Sequence, residues 1–363
     1  MLQLVELSKE NGKRIVLNKI SLKINDGEFV SFLGPSGSGK TALLRILAGL
    51  EYADSGQIFL RGEDITKHPP NKRNINTVFS SFSLFPDLDI YHNIEFGLNF
   101  KEISDDEKHR IVNYAIEMFG LIPYLSHNIN ELNHLIKYKI ALCRALVNNP
   151  SVLLLDNAIK SVENKDRLNL SLELKQLQRK LKTTFIYITD DFNVAFALAD
   201  KIGILQHGTL HQYALSREIY EKPETFFVAS YIGSMNFFYA RILGEDAKVY
   251  TVELDDRIQV RMLNTRELDT TRELFYAIRP KRMLLTDDGE VGELENCISG
   301  EIVNRDYDGE YTRYFVKLAY DKVIVVSILN YNFLFSNEPI KNFYVGDKVF
   351  VKWNILAGDL VYA

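Results

Sequence analysis

Residues 34–41 read GPSGSGKT and match the pattern GxxxxGK[ST] at every fixed position. Such a loop needs glycine because its backbone turns through angles, and approaches a bound group at distances, that a side chain would forbid. Residues 28–33 before the loop are rich in strand formers, and residues 42–47 after it are apolar at helical spacing. This order is typical of a phosphate-binding loop, and a glycine-rich turn without a ligand is the alternative.

The chemistry of the loop predicts how phosphates would be held. Backbone N–H groups at the start of the helix point at a phosphate, the Lys40 ammonium adds positive charge, and the Thr41 hydroxyl can coordinate Mg²⁺. The predicted nucleotide-binding residues are Gly34, Pro35, Ser36, Gly37, Ser38, Gly39, Lys40, Thr41 and Ala42.

Composition restricts the class of protein. A chain of 363 residues with 46% hydrophobic residues is long enough for roughly two or three packed domains. Its net charge of −5 leaves no electrostatic footprint for DNA or RNA, so we expect no nucleic-acid partner. With Cys143 and Cys297 as the only cysteines and no signal-peptide pattern at the start, a reduced cytosolic protein is expected. No apolar run approaches the ~18 residues of a membrane span, so any membrane role would come through a partner.

The chain has two parts that differ in their predicted secondary structure. Up to about residue 234, β-like runs alternate with helical patterns, and the apolar run 152–156 with the strand-like run 184–189 and the helical pattern between them predicts a parallel sheet. Beyond this point short alternating runs, such as 314–318 and 349–353, predict a separate all-β domain.

Seven ordered segments resemble the ATP-binding subunits of ABC importers, most closely the spermidine/putrescine branch, with sugar and ferric-iron importers as near relatives. The resemblance covers essentially the whole chain. The segments are DGEFVSFLGPSGSGKT (26–41), LLRILAGLEYADSGQI (43–58), PPNKRNINTVF (69–79), LFPDLDIYHNIEFGL (84–98), ALCRALVNNPSVLLLD (141–156), LSREIYEKPETFFVASYIGSMNFF (215–238) and AIRPKRMLL (277–285).

The resemblance implies an α/β P-loop NTPase fold of the ABC type over 1–234, with a helical subdomain at about 84–150. It implies an all-β, OB-like barrel of the TOBE type over 235–363, often regulatory in such proteins. ATP and Mg²⁺ are the implied cofactors, with Thr41 and Asp156 as the metal ligands.

Several positions depart from the family pattern around the γ-phosphate. The glutamate that polarises the attacking water is Asn157, and an amide cannot accept the proton. The histidine that contacts the γ-phosphate is Asp190, whose charge repels a triphosphate. Ser80 replaces the glutamine that links Mg²⁺ to the membrane subunit, and Asn11 stands at the loosely aligned position of the aromatic that stacks on adenine.

The family signature LSGGQ is also altered. Its serine and glycines present a helix start to the γ-phosphate of the opposing subunit, and here the positions after Leu132 are Asn133, His134, Leu135 and Ile136. Asn133 can cap the helix, but the Cβ of Leu135 prevents close approach. Ala158 replaces a proline, and residues 160–163 read KSVE where the family has SALD.

Each substitution could instead be a neutral change at a tolerant position. For Asn11 or Glu163 alone, this interpretation is as acceptable as a functional one. Together the losses cluster on the γ-phosphate, whereas Lys40, Thr41 and Asp156 are kept. We therefore expect nucleotide binding without ordinary turnover. His134 could act as a replacement base, but a solvated helix cap is the simpler interpretation of a lone histidine there.

The leading hypothesis is a polyamine-importer ATP-binding subunit, impaired in hydrolysis, at the cytoplasmic face of the membrane. Its partners would be permease subunits, an intact paralogous ATP-binding subunit in a heterodimer and, indirectly, a solute-binding protein. A slow but genuine ATPase and a soluble nucleotide-sensing regulator are the alternatives. Permease docking is assigned by resemblance to an aromatic-rich segment that core packing could also explain, with Leu84, Phe85, Pro86, Asn93 and Phe96 as the docking residues.

Overall fold

The computed structural model describes residues 1–157, 159, 164–246, 248–264, 268–330 and 342–363, without the side chains of 164–166 and 168. These residues form two compact units, Met1–Ile219 and Tyr220–Ala363. The expected boundary between 234 and 235 falls inside the second unit, and it stays a prediction. No helix of the described residues is long and apolar enough to cross a membrane.

The first unit contains two sheets, of six and four strands. The six-stranded sheet has the order β10-β9-β3-β8-β7-β6, and its strands are parallel except for the antiparallel pair β9–β10. The four-stranded antiparallel sheet has the order β2-β1-β4-β5. The strands are β1 (Leu2–Asn11), β2 (Arg14–Ile24), β3 (Phe29–Leu33), β4 (Ser55–Leu60), β5 (Glu63–Asp64), β6 (Ile75–Val78), β7 (Val152–Asp156), β8 (Thr184–Thr189), β9 (Lys201–Gln206) and β10 (Thr209–Leu215).

Burial explains the apolar runs of the central strands. Strands β3 and β8 are buried at every position and β7 at all but its last residue. Both faces of the parallel sheet are therefore covered, as is usual for parallel sheets. The α/β fold predicted for this part of the chain is confirmed.

Eight helices occur in the described residues. Helix α1 starts inside the phosphate-binding loop, while α2, α3 and α4 lie within the stretch expected to form a helical subdomain and share an apolar cluster. The helices are α1 (Lys40–Leu47), α2 (Ile90–Glu95), α3 (Asp105–Met118), α4 (His134–Leu146), α5 (Asn164–Leu181), α6 (Phe192–Leu198), α7 (Ser216–Glu221) and α8 (Phe226–Tyr231). Short 3₁₀ turns occur at Pro70–Lys72, Phe96–Phe100, Ile122–Tyr124, Ile129–Glu131 and Pro280–Arg282.

The second unit contains two five-stranded antiparallel sheets, ordered β13-β12-β11-β14-β20 and β15-β19-β16-β17-β18. Strands such as β12 and β19 bury every second residue, so one face of each sheet packs on a shared core. The predicted all-β character of the carboxy-terminal domain is confirmed. The strands are β11 (Asn236–Asp246), β12 (Val249–Leu254), β13 (Ile258–Leu263), β14 (Leu274–Ile278), β15 (Leu284–Thr286), β16 (Glu295–Tyr307), β17 (Tyr311–Leu318), β18 (Val323–Leu329), β19 (Lys348–Asn354) and β20 (Gly358–Tyr362).

A buried guanidinium fixes the far end of α1, the helix that begins in the loop. Arg73 Nη1 donates to the carbonyl oxygens of Ile46 (2.7 Å) and Leu47 (2.9 Å) at the end of the helix. Its Nε and Nη2 donate to the carbonyl oxygens of His68 (2.8 Å) and Thr66 (3.1 Å). Arg73 therefore supplies a donor to the Leu47 carbonyl group at the carboxyl end of the helix and a second donor to Ile46, which also accepts from the Gly49 N–H (3.1 Å).

We predict that Arg73→Met lowers the free energy of unfolding by about 3 kcal/mol, because the carbonyl oxygens of Leu47, Thr66 and His68 lose their donor and that of Ile46 loses one of two. Urea unfolding followed by far-UV circular dichroism measures the change. The matched control is Lys72→Ala, which removes an exposed neighbouring cation. Equal stability of both variants would contradict the structural role of Arg73.

Candidate phosphate-binding site

The phosphate-binding loop joins the carboxyl end of β3 to the start of α1. Strand β3 ends at Leu33, and the first helical residue is Lys40. Because β3 lies between β8 and β9 in the sheet, the loop stands at the centre of the edge where the parallel strands end. Ligands of open α/β sheets bind along this edge.

Two glycines of the loop leave no room for a side chain. Gly39 has φ 104°, and a Cβ atom there would stand 2.5 Å from the Val16 carbonyl oxygen. A Cβ atom on Gly34 would stand 2.1 Å from the Leu205 carbonyl oxygen. The loop is therefore packed tightly against β2 and β9, and its glycines are required by contact as well as by conformation.

Lys40 closes the loop from inside. Its Nζ donates to the carbonyl oxygens of Gly34 (2.6 Å) and Pro35 (2.8 Å) and to Ser38 Oγ (3.1 Å). The ammonium group thus lies within the ring of loop atoms. A charge held in this position, beside N–H groups at a helix start, suits a phosphate.

A cavity of about 280 Å³ opens at the loop. The predicted residues 37–42 line it, and so does Asn11, at the position where the family has an aromatic. Arg14 and Val16 also line the cavity, and sequence reasoning missed both. The sequence did contain a signal for Arg14, because this residue directly follows the predicted turn after Asn11. A hairpin at this turn would bring Arg14 back beside Asn11 and the phosphate-binding loop.

Asp156 ends β7 and lies at the same edge as the loop. The parallel register pairs Asp156 with Ile188 of β8, and Leu33 of β3 with Thr189 of β8, so these strand ends are level. Burial raises the pKa of the half-buried Asp156 carboxyl group. Among the described residues no hydrogen bond or ion pair reaches this carboxylate. A partly desolvated carboxylate and the Thr41 hydroxyl are oxygen ligands of the kind that Mg²⁺ takes, so the residues present fit the metal.

Asn157 is turned towards β8. Its backbone is left-handed (φ 46°), its N–H donates to the Ile188 carbonyl oxygen (3.0 Å), and its side-chain oxygen accepts a hydrogen bond from Thr189 Oγ1 (3.3 Å). The side-chain oxygen therefore has a partner within the protein. The amide offers no group that can accept a proton from water at neutral pH.

The other candidate positions near the strand ends carry acidic or short side chains. Asp190 follows β8 directly and is exposed. Asp191 caps α6 through the N–H groups of Asn193 (3.0 Å) and Val194 (3.3 Å). Ser80 is exposed in a turn after β6. Ala158 and residues 160–163 lie outside the described residues.

The segment that corresponds to the family signature forms the start of α4. Asn133 Oδ1 accepts a hydrogen bond from the N–H of Ile136 (2.9 Å), so Asn133 is the helix cap. His134 is exposed and packs edge-on against Phe82, with ring centres 6.0 Å apart. Leu135 is half-buried against an apolar cluster and Ile136 is buried. At this helix start the apolar side chains of Leu135 and Ile136 pack inward, and Asn133 and His134 are the exposed residues.

The segment 84–98 separates into exposed and interior parts. Phe85 and Phe96 are each 37% exposed, and their ring centres lie 4.4 Å apart. Asn93 is fully buried and exchanges hydrogen bonds with Phe85, accepting from its N–H (2.9 Å) and donating to its carbonyl oxygen (3.0 Å). Of the predicted docking residues, Asn93 is buried and holds the backbone at Phe85 by hydrogen bonds, whereas the side chains of Phe85 and Phe96 are partly exposed.

Comparison with known proteins identifies relatives over the whole chain. The ABC transporter family profile matches residues 17–160, and the TOBE domain profile matches residues 276–357. The chain is 37% identical to the spermidine/putrescine import ATP-binding protein PotA of Protochlamydia amoebophila, over 96% of this chain and 93% of that protein. It is 36% identical to the PotA protein of Haemophilus influenzae, over 98% of this chain and 94% of that protein.

Solved structures show the same fold for the first part of the chain. The dimeric structure of a bacterial ABC transporter cassette superposes with a TM-score of 0.54 at 28% sequence identity, covering 60% of this chain and 99% of the cassette. An ATP-binding cassette in a post-hydrolysis state bound to ADP and Pi gives a TM-score of 0.53 at the same identity, with the same shares covered.

We predict that Asp156→Asn raises the free energy of unfolding of the ligand-free protein at pH 7 by about 1 kcal/mol, because it removes a partly desolvated charge without a partner. Because burial raises the pKa of Asp156 in the folded state, that state binds more protons than the unfolded state, and stability falls as pH rises above the ordinary value of 3.8.

The stability gain should therefore disappear below pH 3.8, where both states are protonated. Urea unfolding at a series of pH values measures it. Asp87→Asn, at an exposed position, is the control for simple loss of negative charge. A gain that is independent of pH would refute this account of Asp156.

Proposed function

We propose that this chain, which belongs to the ABC transporter family of ATP-binding proteins, binds MgATP at residues 34–42 and serves a polyamine importer as a subunit with little hydrolysis of its own. The observation that carries the proposal is the contrast within one site. The loop around Lys40 has the geometry of a phosphate-binding loop, whereas Asn157 carries an amide that cannot accept a proton and α4 starts with Asn133, His134, Leu135 and Ile136.

Binding of the phosphates is supported by the loop itself. The Lys40 ammonium lies within the ring formed by the Gly34 and Pro35 carbonyl groups and Ser38 Oγ. Backbone N–H groups at the start of α1 add donors and the positive end of the helix dipole. Thr41 and Asp156 would hold Mg²⁺, which when bound neutralises charge on the phosphate oxygens.

Weak hydrolysis is supported by the groups that surround the γ-phosphate position. The Asn157 amide is hydrogen-bonded to Thr189 and cannot take a proton. Asp190 adds a negative charge next to β8, where it opposes the approach of a triphosphate. A positioned general base typically contributes about 10²–10⁴ in rate, so its loss alone makes turnover slow.

In a dimer, the altered signature segment of this chain would also affect the nucleotide bound by the partner subunit. The dimeric cassettes among the relatives suggest that this chain also pairs with a second ATP-binding subunit. In such a pair the start of α4 would face the nucleotide of the partner, and Leu135 would hold the backbone away from the phosphate. A partner with an intact signature and base would then be needed for turnover, which favours a heterodimer with a competent paralogue.

The relatives support a proposal for the transported solute and the membrane partners. Proteins named as spermidine/putrescine import subunits share 33–37% of their residues with this chain over nearly its full length. We infer polyamine uptake, permease subunits as direct partners, a solute-binding protein as an indirect one, and a peripheral position at the cytoplasmic face of the membrane. The exposed pair Phe85 and Phe96 is the docking surface.

The purified chain should bind ATP in the presence of Mg²⁺, and Lys40→Ala should weaken this binding at least tenfold because it removes the charge inside the loop. Isothermal titration calorimetry measures the affinities. Lys23→Ala, an exposed cation on β2, should bind ATP as the wild type does. Absence of Lys40-dependent binding would overturn the proposal.

In the same preparation, ATP hydrolysis should fall about 10²-fold or more below that of an intact relative such as the Haemophilus influenzae protein, measured by phosphate release under identical conditions. Asn157→Glu alone should not restore the rate, because Leu135 and Asp190 remain. Wild-type hydrolysis at the rate of the relative would show that the altered positions do not limit turnover.

Truncation of the exposed aromatic pair should weaken assembly with the permease. We predict that Phe85→Ala/Phe96→Ala lowers the amount of permease that co-purifies by at least fivefold, because aromatic anchors dominate interfaces. Ile122→Ala, at a position that is 57% exposed in the same helical region, is the control. Unchanged ATP affinity of both variants separates docking from folding, and unchanged co-purification would exclude this surface.

A further inference from the structure

The cavity at the loop has two parts of different chemistry. Residues 37–42 supply backbone N–H groups and the Lys40 and Thr41 side chains, which suit phosphates. The remaining wall comes from the β1–β2 hairpin and consists of Asn11, Arg14 and Val16. If the triphosphate occupies the loop, the base of the nucleotide must lie on the hairpin side.

The hairpin wall lacks the ring on which a base usually stacks. Among the described residues that line the cavity there is no aromatic side chain. The three hairpin side chains are an amide, a guanidinium and an isopropyl group. Only the guanidinium of Arg14 offers a broad planar surface, and arginine is known to stack on aromatic faces through its plane and its charge.

Arg14 is placed over the mouth of the loop. Its Nη2 lies 3.4 Å from the Gly37 carbonyl oxygen, and a Cβ atom on Gly37 would stand 3.4 Å from the same nitrogen. The guanidinium is therefore adjacent to the phosphate part of the cavity while its stem rises from the hairpin. A base joined through ribose to the phosphates would meet this group.

The backbone under Arg14 is fixed by the hairpin. Arg14 is the first residue of β2 and pairs with Asn11, the last residue of β1, across a two-residue turn. Gly12 takes a left-handed conformation in the turn (φ 62°), as such tight hairpins require. The side chain of Arg14 therefore starts from a defined place beside the loop.

We propose that Arg14 is the platform on which the nucleotide base stacks, and that it makes this site selective for purine nucleotides. The inference rests on the proposed function, since it requires a nucleoside triphosphate in the loop. Stacking on a guanidinium grows with the size and electron richness of the ring, so adenine and guanine should bind more tightly than uracil.

The test compares the affinities of ATP, UTP and inorganic tripolyphosphate for the full chain by competition against a fluorescent ATP analogue, with Mg²⁺ present. Arg14→Ala should weaken ATP binding about fivefold, the size of a partly exposed cation–π contact, and change tripolyphosphate binding less than twofold. Arg14→Trp, which restores a plane but not the charge, should recover ATP affinity. Lys13→Ala, the exposed neighbour in the turn, is the matched control.

The outcomes separate the two proposals. Parallel losses of ATP and tripolyphosphate in Arg14→Ala, without recovery in Arg14→Trp, would show a phosphate contact and overturn the stacking role. Equal affinity of the wild type for ATP and UTP would overturn the purine preference. Wild-type protein that binds neither ATP nor tripolyphosphate would overturn the proposed function, whereas tight, Lys40-dependent ATP binding that Arg14→Ala leaves unchanged would overturn only this inference.

Discussion

The close packing of the loop backbone against β2 and β9 is the constraint on which the rest of the site depends. At Gly39 the backbone runs so near the Val16 carbonyl oxygen that a methyl group could not be inserted. The same contact brings the β1–β2 hairpin over the cavity. A wider separation would move α1 away from the sheet, open the ring around Lys40 and remove Arg14 from the mouth of the loop. The same packing therefore positions both Lys40, which would contact the phosphates, and Arg14, which we propose contacts the base.

The residues that depart from the family pattern make contacts with their neighbours in this structure. The Asn157 amide accepts a hydrogen bond from Thr189, Asn133 caps α4, and Ile136 is buried beneath it. Serine at position 133 and glutamate at position 157, the family residues, could accept the same hydrogen bonds, whereas a polar residue in place of the buried Ile136 would cost stability.

Local patterns predicted the parts of the fold whose signal is contained in a short window. The apolar run that ends at Asp156 and the glycine loop before α1 are of this kind, because strand burial and loop conformation are encoded by neighbouring residues. Arg14 was missed, and the burial of Asn93 was not foreseen, because both depend on contacts made elsewhere in the fold. Arg14 reaches the loop only through the register of a hairpin, and Asn93 turns inward because the backbone at Phe85 needs its amide.

The positions of the charged side chains explain how a site that contains two carboxylates could still hold a triphosphate. Asp156 and Asp190 both lie at the carboxyl edge of the sheet, and a bound triphosphate would add further negative charge there. Lys40 inside the loop and Arg14 at its mouth are the cations that face the cavity among the described residues. Mg²⁺ would lie beside Asp156 and offset its charge, while Asp190 adds a further carboxylate directly after β8. This placement of Lys40 and Arg14 supports the proposal that the chain holds a nucleotide without ordinary turnover.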